Sequence, residues 1–327
     1  MERVLKIENL RTYFHMDEGV ARAVDGVSLS VEKKRTLGLV GESGCGKSIT
    51  ALSILRLVPS PPGRIAGGSI TLAGEDILSL PEVRMRDIRG KLASMIFQEP
   101  MTSLNPVFTI GNQVEEAVRM HTQMTGKGAR RIALEYLAKV GIPAAHERMG
   151  QYPHQLSGGM KQRVMIAMAL CLKPALLIAD EPTTALDVTI QAGILRLMKD
   201  MQEETESAIL LITHDLGVIA EMADDVAVMY AGKIVETGPC EEIFTSFLHP
   251  YTEGLFQSLP GRTPRGQKLY TIAGNVPSAL QFQKACCRFN PRCPLAIERC
   301  RVEEPPLVVI GPAHRCACWV RAGEGPL

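Results

Sequence analysis

Leu37-Gly38-Leu39-Val40-Gly41-Glu42-Ser43-Gly44-Cys45-Gly46-Lys47-Ser48 decides how this chain folds. A short buried strand runs straight into a glycine-rich loop, and Ser48 to Leu57 reads as a helix stopped by Pro59, Pro61 and Pro62. Strand, loop and helix in that order make a phosphate loop. Its backbone N–H groups converge on a β-phosphate at a helix N-terminus. Lys47 is placed to reach the β- and γ-phosphates, and Ser48 to put its hydroxyl on Mg2+. A glycine-rich turn without a ligand is the plain alternative, and the flanking elements argue against it.

Outward from this loop, Leu5 to Leu10 and Ala23 to Val31 read as antiparallel strands, and Ser69 to Leu72 and Ala93 to Phe97 as further strands. Helical periodicity marks Ile110 to Met120, Ala129 to Val140, Gly158 to Leu172 and Ile190 to Glu203. Buried strands end at Asp180 and Thr213, and Val226 to Tyr230 with Lys233 to Thr237 form a hairpin around Ala231-Gly232. The alternation predicts a largely parallel α/β core, interrupted by a helical subdomain over about 98–157. Pro260, Gly261, Pro264 and Gly266 mark a linker. Beyond it the chain is rich in Pro, Cys and Arg, with little periodicity.

The charges nearly balance, 36 Lys+Arg against 35 Asp+Glu, which argues against a broad nucleic-acid-binding face. The longest apolar run, Val164 to Leu172, is too short to cross a bilayer. The N-terminus lacks the apolar core of a signal peptide. A cytoplasmic protein is expected, with any membrane role exercised through a partner.

Open α/β sheets place ligands at the carboxyl ends of their strands. Asp180 and Glu181 stand at such an end, Asp180 suited to Mg2+ and Glu181 to polarising an attacking water. Gln98 follows another strand and is placed to touch metal and water. His214 follows a third and suits donation to charge on a γ-phosphate.

With Leu156-Ser157-Gly158-Gly159-Met160 and Ala185-Leu186-Asp187 added, these motifs stand in the order found in the ATPase subunits of ATP-binding cassette (ABC) transporters, which residues 1 to about 250 resemble. Lys34-Arg35 departs from the Gly-Glu of many relatives and implies a local turn change. The resemblance implies a RecA-like core, an antiparallel β subdomain and a helical subdomain. It also implies an ATP sandwich, in which Ser157, Gly158 and Gly159 of one subunit cap the γ-phosphate held by another and Asp187 lies at the seam. The ATP-binding set so implied is Gly41, Ser43, Gly44, Cys45, Gly46, Lys47, Ser48 and Ile49, with Mg2+ held through Ser48, Gln98 and Asp180. An aromatic ring stacks on adenine in such proteins, with Phe14 the first choice and Tyr13 the second; simple packing of either ring is the alternative. Glu181, His214 and Gln98 carry hydrolysis.

Gln98-Glu99-Pro100-Met101-Thr102-Ser103-Leu104-Asn105-Pro106, Tyr152-Pro153-His154-Gln155 and His249-Pro250-Tyr251-Thr252 are similar to the oligopeptide and dipeptide permease ATPases in particular. That resemblance implies ATP-driven import of di- and oligopeptides from the cytoplasmic face of the membrane. The implied partners are two transmembrane permease subunits, a second ATPase (a sister chain or a copy) and, indirectly, an external peptide-binding protein. It places the division between nucleotide-binding domain and C-terminal extension at 250/251, and the contact with membrane subunits near Asn105 to Ile110, with internal packing of that segment's apolar residues as the equal alternative. ATPases for nickel or another small solute, and soluble ABC ATPases without a permease, are the competing readings.

Six of the 9 cysteines crowd the tail. In a reducing cytosol such a cluster suggests metal more than disulfides. The resemblance puts a 4Fe–4S cluster on Cys287, Cys293, Cys300 and Cys318, with Cys286 or Cys316 as substitutes; a zinc site held by four thiolates and free cysteines are the alternatives.

Overall fold

The computed structural model describes residues 2–98, 103–184, 186–259, 270–282 and 285–322. The expected linker at 260–267 and residues 99–102 of the glutamine segment lie outside them. The chain divides into two compact units. One comprises 1–4, 31–35 and 79–211; the other comprises 5–30, 36–78 and 212–327. The fold is mixed α/β, as expected.

The second unit holds the phosphate loop. Strands β1 (Arg3–Met16), β2 (Gly19–Glu32), β4 (Gly63–Leu72) and β5 (Glu75–Asp76) form a four-stranded sheet of order β2-β1-β4-β5, with β1 antiparallel to β4. β1 and β2 run longer than expected because their half-exposed polar ends keep pairing where apolar alternation has faded. Strand β3 (Thr36–Val40) is buried throughout and runs parallel to β9 (Asp225–Tyr230), which forms an antiparallel pair with β10 (Lys233–Pro239). The helix after the loop spans Lys47–Ile54 and stops short of Leu57, because Leu55 leaves helical geometry and Arg56 turns left-handed at φ 51°.

The tail is more ordered than its sequence suggests. Strand β12 (Arg315–Cys316) pairs with β10, and β11 (Val308–Val309) pairs with β12. Helices cover Pro250–Gln257 and Glu298–Val302. Glu236 of β10, fully buried, accepts from the N–H groups of Leu248 (2.6 Å) and His249 (2.9 Å) and pairs with His314 Nε2 at 2.8 Å. Phe289 packs edge-on against Tyr230 and tilted against Tyr251 and His249.

In the first unit, β6 (Ala93–Ile96) runs parallel to β7 (Leu176–Asp180); β8 (Ala208–Thr213) begins in this unit and ends, at Ile212 and Thr213, in the second. Helices Ile110–His121 and Gly126–Lys139 occupy the expected helical stretch. A helix at Glu82–Lys91 was not anticipated, since it buries only Met85 and Ile88 and leaves little periodic signal. Among the described residues no helix is long and apolar enough to cross a membrane.

The cluster expectation is corrected. Among the described residues no group of three or more His, Cys, Asp or Glu is placed to hold a metal ion, so neither a 4Fe–4S cluster nor a zinc site on Cys287, Cys293, Cys300 and Cys318, with Cys286 or Cys316 in reserve, is supported. Metal ligation needs thiolates, whereas burial favours the protonated thiol. Burial pushes Cys287 up to about 12 and raises Cys293 and Cys316 as well. Cys316 serves as a strand residue of β12, and Cys300 is buried in the helix Glu298–Val302, its carbonyl accepting from Cys287 N–H at 3.0 Å.

Candidate nucleotide site

Two glycines fix the shape of the phosphate loop. Gly41 has φ 155°, and a Cβ there would stand 2.1 Å from the Met229 carbonyl oxygen. Gly46 has φ 110°, and a Cβ there would meet the Ala23 carbonyl oxygen at 2.4 Å. No other residue fits either position without moving backbone. The loop closes on itself through Lys47, whose Nζ donates to the carbonyls of Gly41 at 2.7 Å and Glu42 at 3.0 Å. Lys47 is buried and the neighbouring Ser43 and Gly44 are exposed, so the loop offers its rim to solvent. Cys45 is buried, Ser48 and Ile49 half-buried.

His214 and the loop meet at one opening. Gly41, Glu42, His214, Leu216, Leu255 and Leu259 line a cavity of about 220 Å³. The His214 ring is placed there by the end of β8, and the next residue, Asp215, caps the helix Leu216–Met222 by accepting from Gly217 N–H at 2.8 Å.

The two aromatic candidates differ. Tyr13 donates its hydroxyl to Asp25 Oδ1 at 2.6 Å, which ties that ring down. Burial pushes the Asp25 carboxyl up, but the Tyr13 hydrogen bond and the charges of Lys233 and Arg288 outweigh it and hold the group below the usual carboxylate value. Phe14 stands opposite Gly63 in the β1–β4 register, half-buried.

In the first unit the carboxylates stand where β7 ends. Asp180 is buried at the last strand position. Glu181 adopts a left-handed φ of 48°, a conformation that costs a non-glycine residue energy and recurs at functional sites. Its Oε2 accepts from Gln98 Nε2 and from Thr184 Oγ1, each at 3.0 Å. Gln98 and Glu181, 83 residues apart, are thus brought together. Ser48, Gln98 and Asp180 all offer hard oxygen donors, the type that Mg2+ takes.

Ser157 caps the helix Gly158–Leu170, its Oγ accepting from Met160 N–H at 3.4 Å. A Cβ on Gly158 would meet nothing within 4 Å, whereas one on Gly159 would press on Ile190 at 3.0 Å. This helix N-terminus, exposed at Ser157 and Gly158, suits an anion. Gln162 of the same helix donates to the Pro182 carbonyl at 2.6 Å and so ties the helix to the segment after Glu181. Asp187 caps the helix Val188–Thr205 by accepting from Ile190 N–H at 3.0 Å; Ala185 lies outside the described residues.

Nothing in the sequence marks Tyr251 and Arg292 as partners of the loop. Tyr251 OH accepts from Glu42 N–H at 2.8 Å, and Arg292 pairs with the Glu42 carboxylate. Neither partnership carries a local signal, since 209 and 250 residues separate the pairs.

The chain is similar to known proteins along most of its length. Residues 24–184 match the ABC transporter family model, and residues 235–300 match the model for the oligopeptide/dipeptide transporter C-terminal region. The oligopeptide transport ATP-binding protein AppD of Bacillus subtilis (strain 168) is 50% identical over 325 residues, covering 99% of each chain. The dipeptide transport ATP-binding protein DppD of the same organism is 47% identical, covering 98% of this chain and 96% of its own. Among solved structures, the ATP-binding cassette MJ0796, in a dimeric post-hydrolysis state bound to ADP and Pi, superposes with a TM-score of 0.65 at 26% identity. The match covers 72% of this chain and 98% of that one. The cbiO1 protein of Clostridium perfringens, part of the ABC transporter complex cbiONQ, gives a TM-score of 0.63 at 25% identity over 75% of this chain and 92% of its own.

Proposed function

The chain belongs to the ABC transporter ATPases of the oligopeptide/dipeptide branch, and from that premise we propose that it hydrolyses ATP to drive uptake of di- and oligopeptides through a permease. One observation carries the peptide reading. A single chain joins the ABC match to the oligopeptide/dipeptide C-terminal match, and its relatives of that name align end to end.

Lys47 and the loop N–H groups hold the phosphates, and Ser48, Gln98 and Asp180 are the residues that would hold Mg2+. Bound there, Mg2+ would supply positive charge against the phosphates. Glu181 orients the attacking water, with Gln98 setting the rotamer of its carboxylate. His214 donates to the γ-phosphate, and Phe14 stacks on adenine. Ser157, Gly158 and Gly159 act on the ATP of a second ATPase subunit, with Asp187 at the seam. The open space around Gly158 and the cap geometry of Ser157 support that role.

The nucleotide-binding domain spans 1–250 and the extension 251–327. The subunit works peripherally, at the cytoplasmic face of the membrane, with two permease subunits and a sister ATPase, and depends indirectly on an external peptide-binding protein. Val107 and Phe108, 70% and 50% exposed, favour the segment Asn105 to Ile110 as the permease contact.

Reconstitution with the membrane subunits in proteoliposomes tests the reading. ATP-dependent accumulation of labelled di- and oligopeptides is expected. Accumulation of nickel with no peptide uptake would overturn the peptide assignment and leave the ATPase standing.

A further inference from the structure

Glu42 is an awkward residue for a phosphate loop. Its backbone belongs to the loop, where its carbonyl accepts from Lys47 Nζ at 3.0 Å. A carboxylate there adds negative charge beside a triphosphate, and like charges in a partly buried site repel. The tail answers it with one side chain. Arg292 donates from Nη1 to Glu42 Oε2 at 2.7 Å and from Nη2 to Glu42 Oε1 at 3.0 Å. Its Nε donates to the Ala273 carbonyl at 2.8 Å, so both edges of the guanidinium are engaged. The Arg292 side chain is 4% exposed, against 30% for Glu42. Bidentate pairing of this kind is stronger and more directional than a single charged contact.

The same tail segment supplies a second tie. Arg288 pairs with Asp25 of β2, the residue that accepts the Tyr13 hydroxyl, and donates from Nη1 to the Ala231 carbonyl at 2.5 Å. The tail therefore fastens to the nucleotide-binding unit through two buried arginines, and one of them ends on the phosphate loop itself.

We infer that Arg292 is a positioning residue for ATP: it cancels the Glu42 charge and holds the loop in its phosphate-accepting shape. This inference rests on the reading of Gly41 to Ser48 as the ATP loop. The C-terminal extension thereby tunes nucleotide affinity, and a disturbance of the tail around Arg292 reaches the Glu42 carboxylate through this ion pair.

The test is a cycle of ATP-binding titrations on the full chain with Arg292→Ala, Glu42→Gln and the double variant. Arg292→Ala should weaken ATP binding about tenfold by leaving the carboxylate uncompensated, a free-energy change typical of a lost charged contact. In the complete transporter it should raise KM for ATP while kcat at saturation changes less than about twofold, the pattern of lost uniform binding. Glu42→Gln should bind ATP as tightly as wild type or more tightly. The double variant should recover most of the affinity lost in Arg292→Ala, which a merely structural arginine would not produce.

Equal weakness of the single and double variants, or wild-type affinity in Arg292→Ala, overturns the inference. If Arg292→Ala does not fold, Arg292→Lys replaces it, because lysine keeps the charge and loses the bidentate geometry. A loss in Arg292→Lys of about threefold, restored by Glu42→Gln, is expected as a smaller version of the same charge effect. No difference between those two proteins is fatal. Lys47→Ala separates the premises. If it binds ATP normally, the loop reading fails; if it loses ATP while Arg292→Ala does not, only the present inference fails.

Discussion

The phosphate loop and the segment around Glu181, both assigned to ATP in the proposed function, are held by different means. The loop is fixed by backbone: Gly41 and Gly46 occupy positions where a Cβ would collide with carbonyl oxygens, and Lys47, Tyr251 and Arg292 brace it. The Glu181 carboxylate is held by neutral side-chain donors, Gln98 and Thr184, on a backbone in a costly conformation. A group that binds the same phosphates in every cycle gains from rigidity. A group that must meet water and metal only when the site closes gains from donors it can exchange.

That contrast separates chemistry from stability, and Glu181→Gln gives the largest effect. Steady-state ATPase activity should fall by about 10²–10⁴-fold, the range for losing a general base. ATP binding and the melting temperature should stay near wild type. A variant that hydrolyses ATP normally ends the role assigned to Glu181, and one that melts early ends the contrast.

The next effect lies in the bracing of the loop. His249 is buried and kept neutral, and its Nδ1 accepts from Tyr251 N–H at 3.0 Å. Burial, with the Arg321 charge adding, lowers its pKa from 6.5 to about 3. Between those values the unfolded chain binds a proton that the folded chain refuses. The contribution of His249 is therefore complete above about pH 6.5 and is lost as pH falls toward about 3, at about 1.4 kcal/mol per pH unit. Denaturant titrations across about pH 4–7 should show this slope, and His249→Gln should flatten it. An equal slope in the variant would remove His249 as the cause.

The smallest effect probes the backbone directly. Gly46→Ala should cost about 1–3 kcal/mol in stability for its left-handed φ, and it should weaken ATP binding because the Ala23 carbonyl must move. An unchanged melting curve with full ATP affinity would show that the loop is softer than its geometry implies.

Legibility in the sequence followed distance along the chain. Gly41 to Ser48 is one continuous local motif, and Asp180 and Glu181 announce themselves as acids closing an apolar strand. The Gln98–Glu181 bond pairs residues that were each legible separately as strand-end polar groups. Arg292 and Tyr251 were not legible as loop partners, because nothing near either residue mentions Glu42. The cysteines misled for a related reason. Their crowding and the family resemblance suggested ligands, while the fold buries Cys300 in a helix and Cys316 in a strand, and burial favours the neutral thiol of Cys316. The helix Glu82–Lys91 escaped because two buried residues make too short a stripe to register as a period.

The pairing of β12 with β10 has a consequence for solubility. Strand β10 is seven residues long, and one flank carries β12 with β11 beyond it, each only two residues long. Short outermost strands are how natural sheets avoid templating other chains. A chain cut at residue 250 would bare that flank of β10 and strip His314 from the buried Glu236. Such a fragment would present one long bare strand edge beside a carboxylate left with only its Leu248 and His249 donors, and the extension thus acts as a seal against edge-to-edge aggregation.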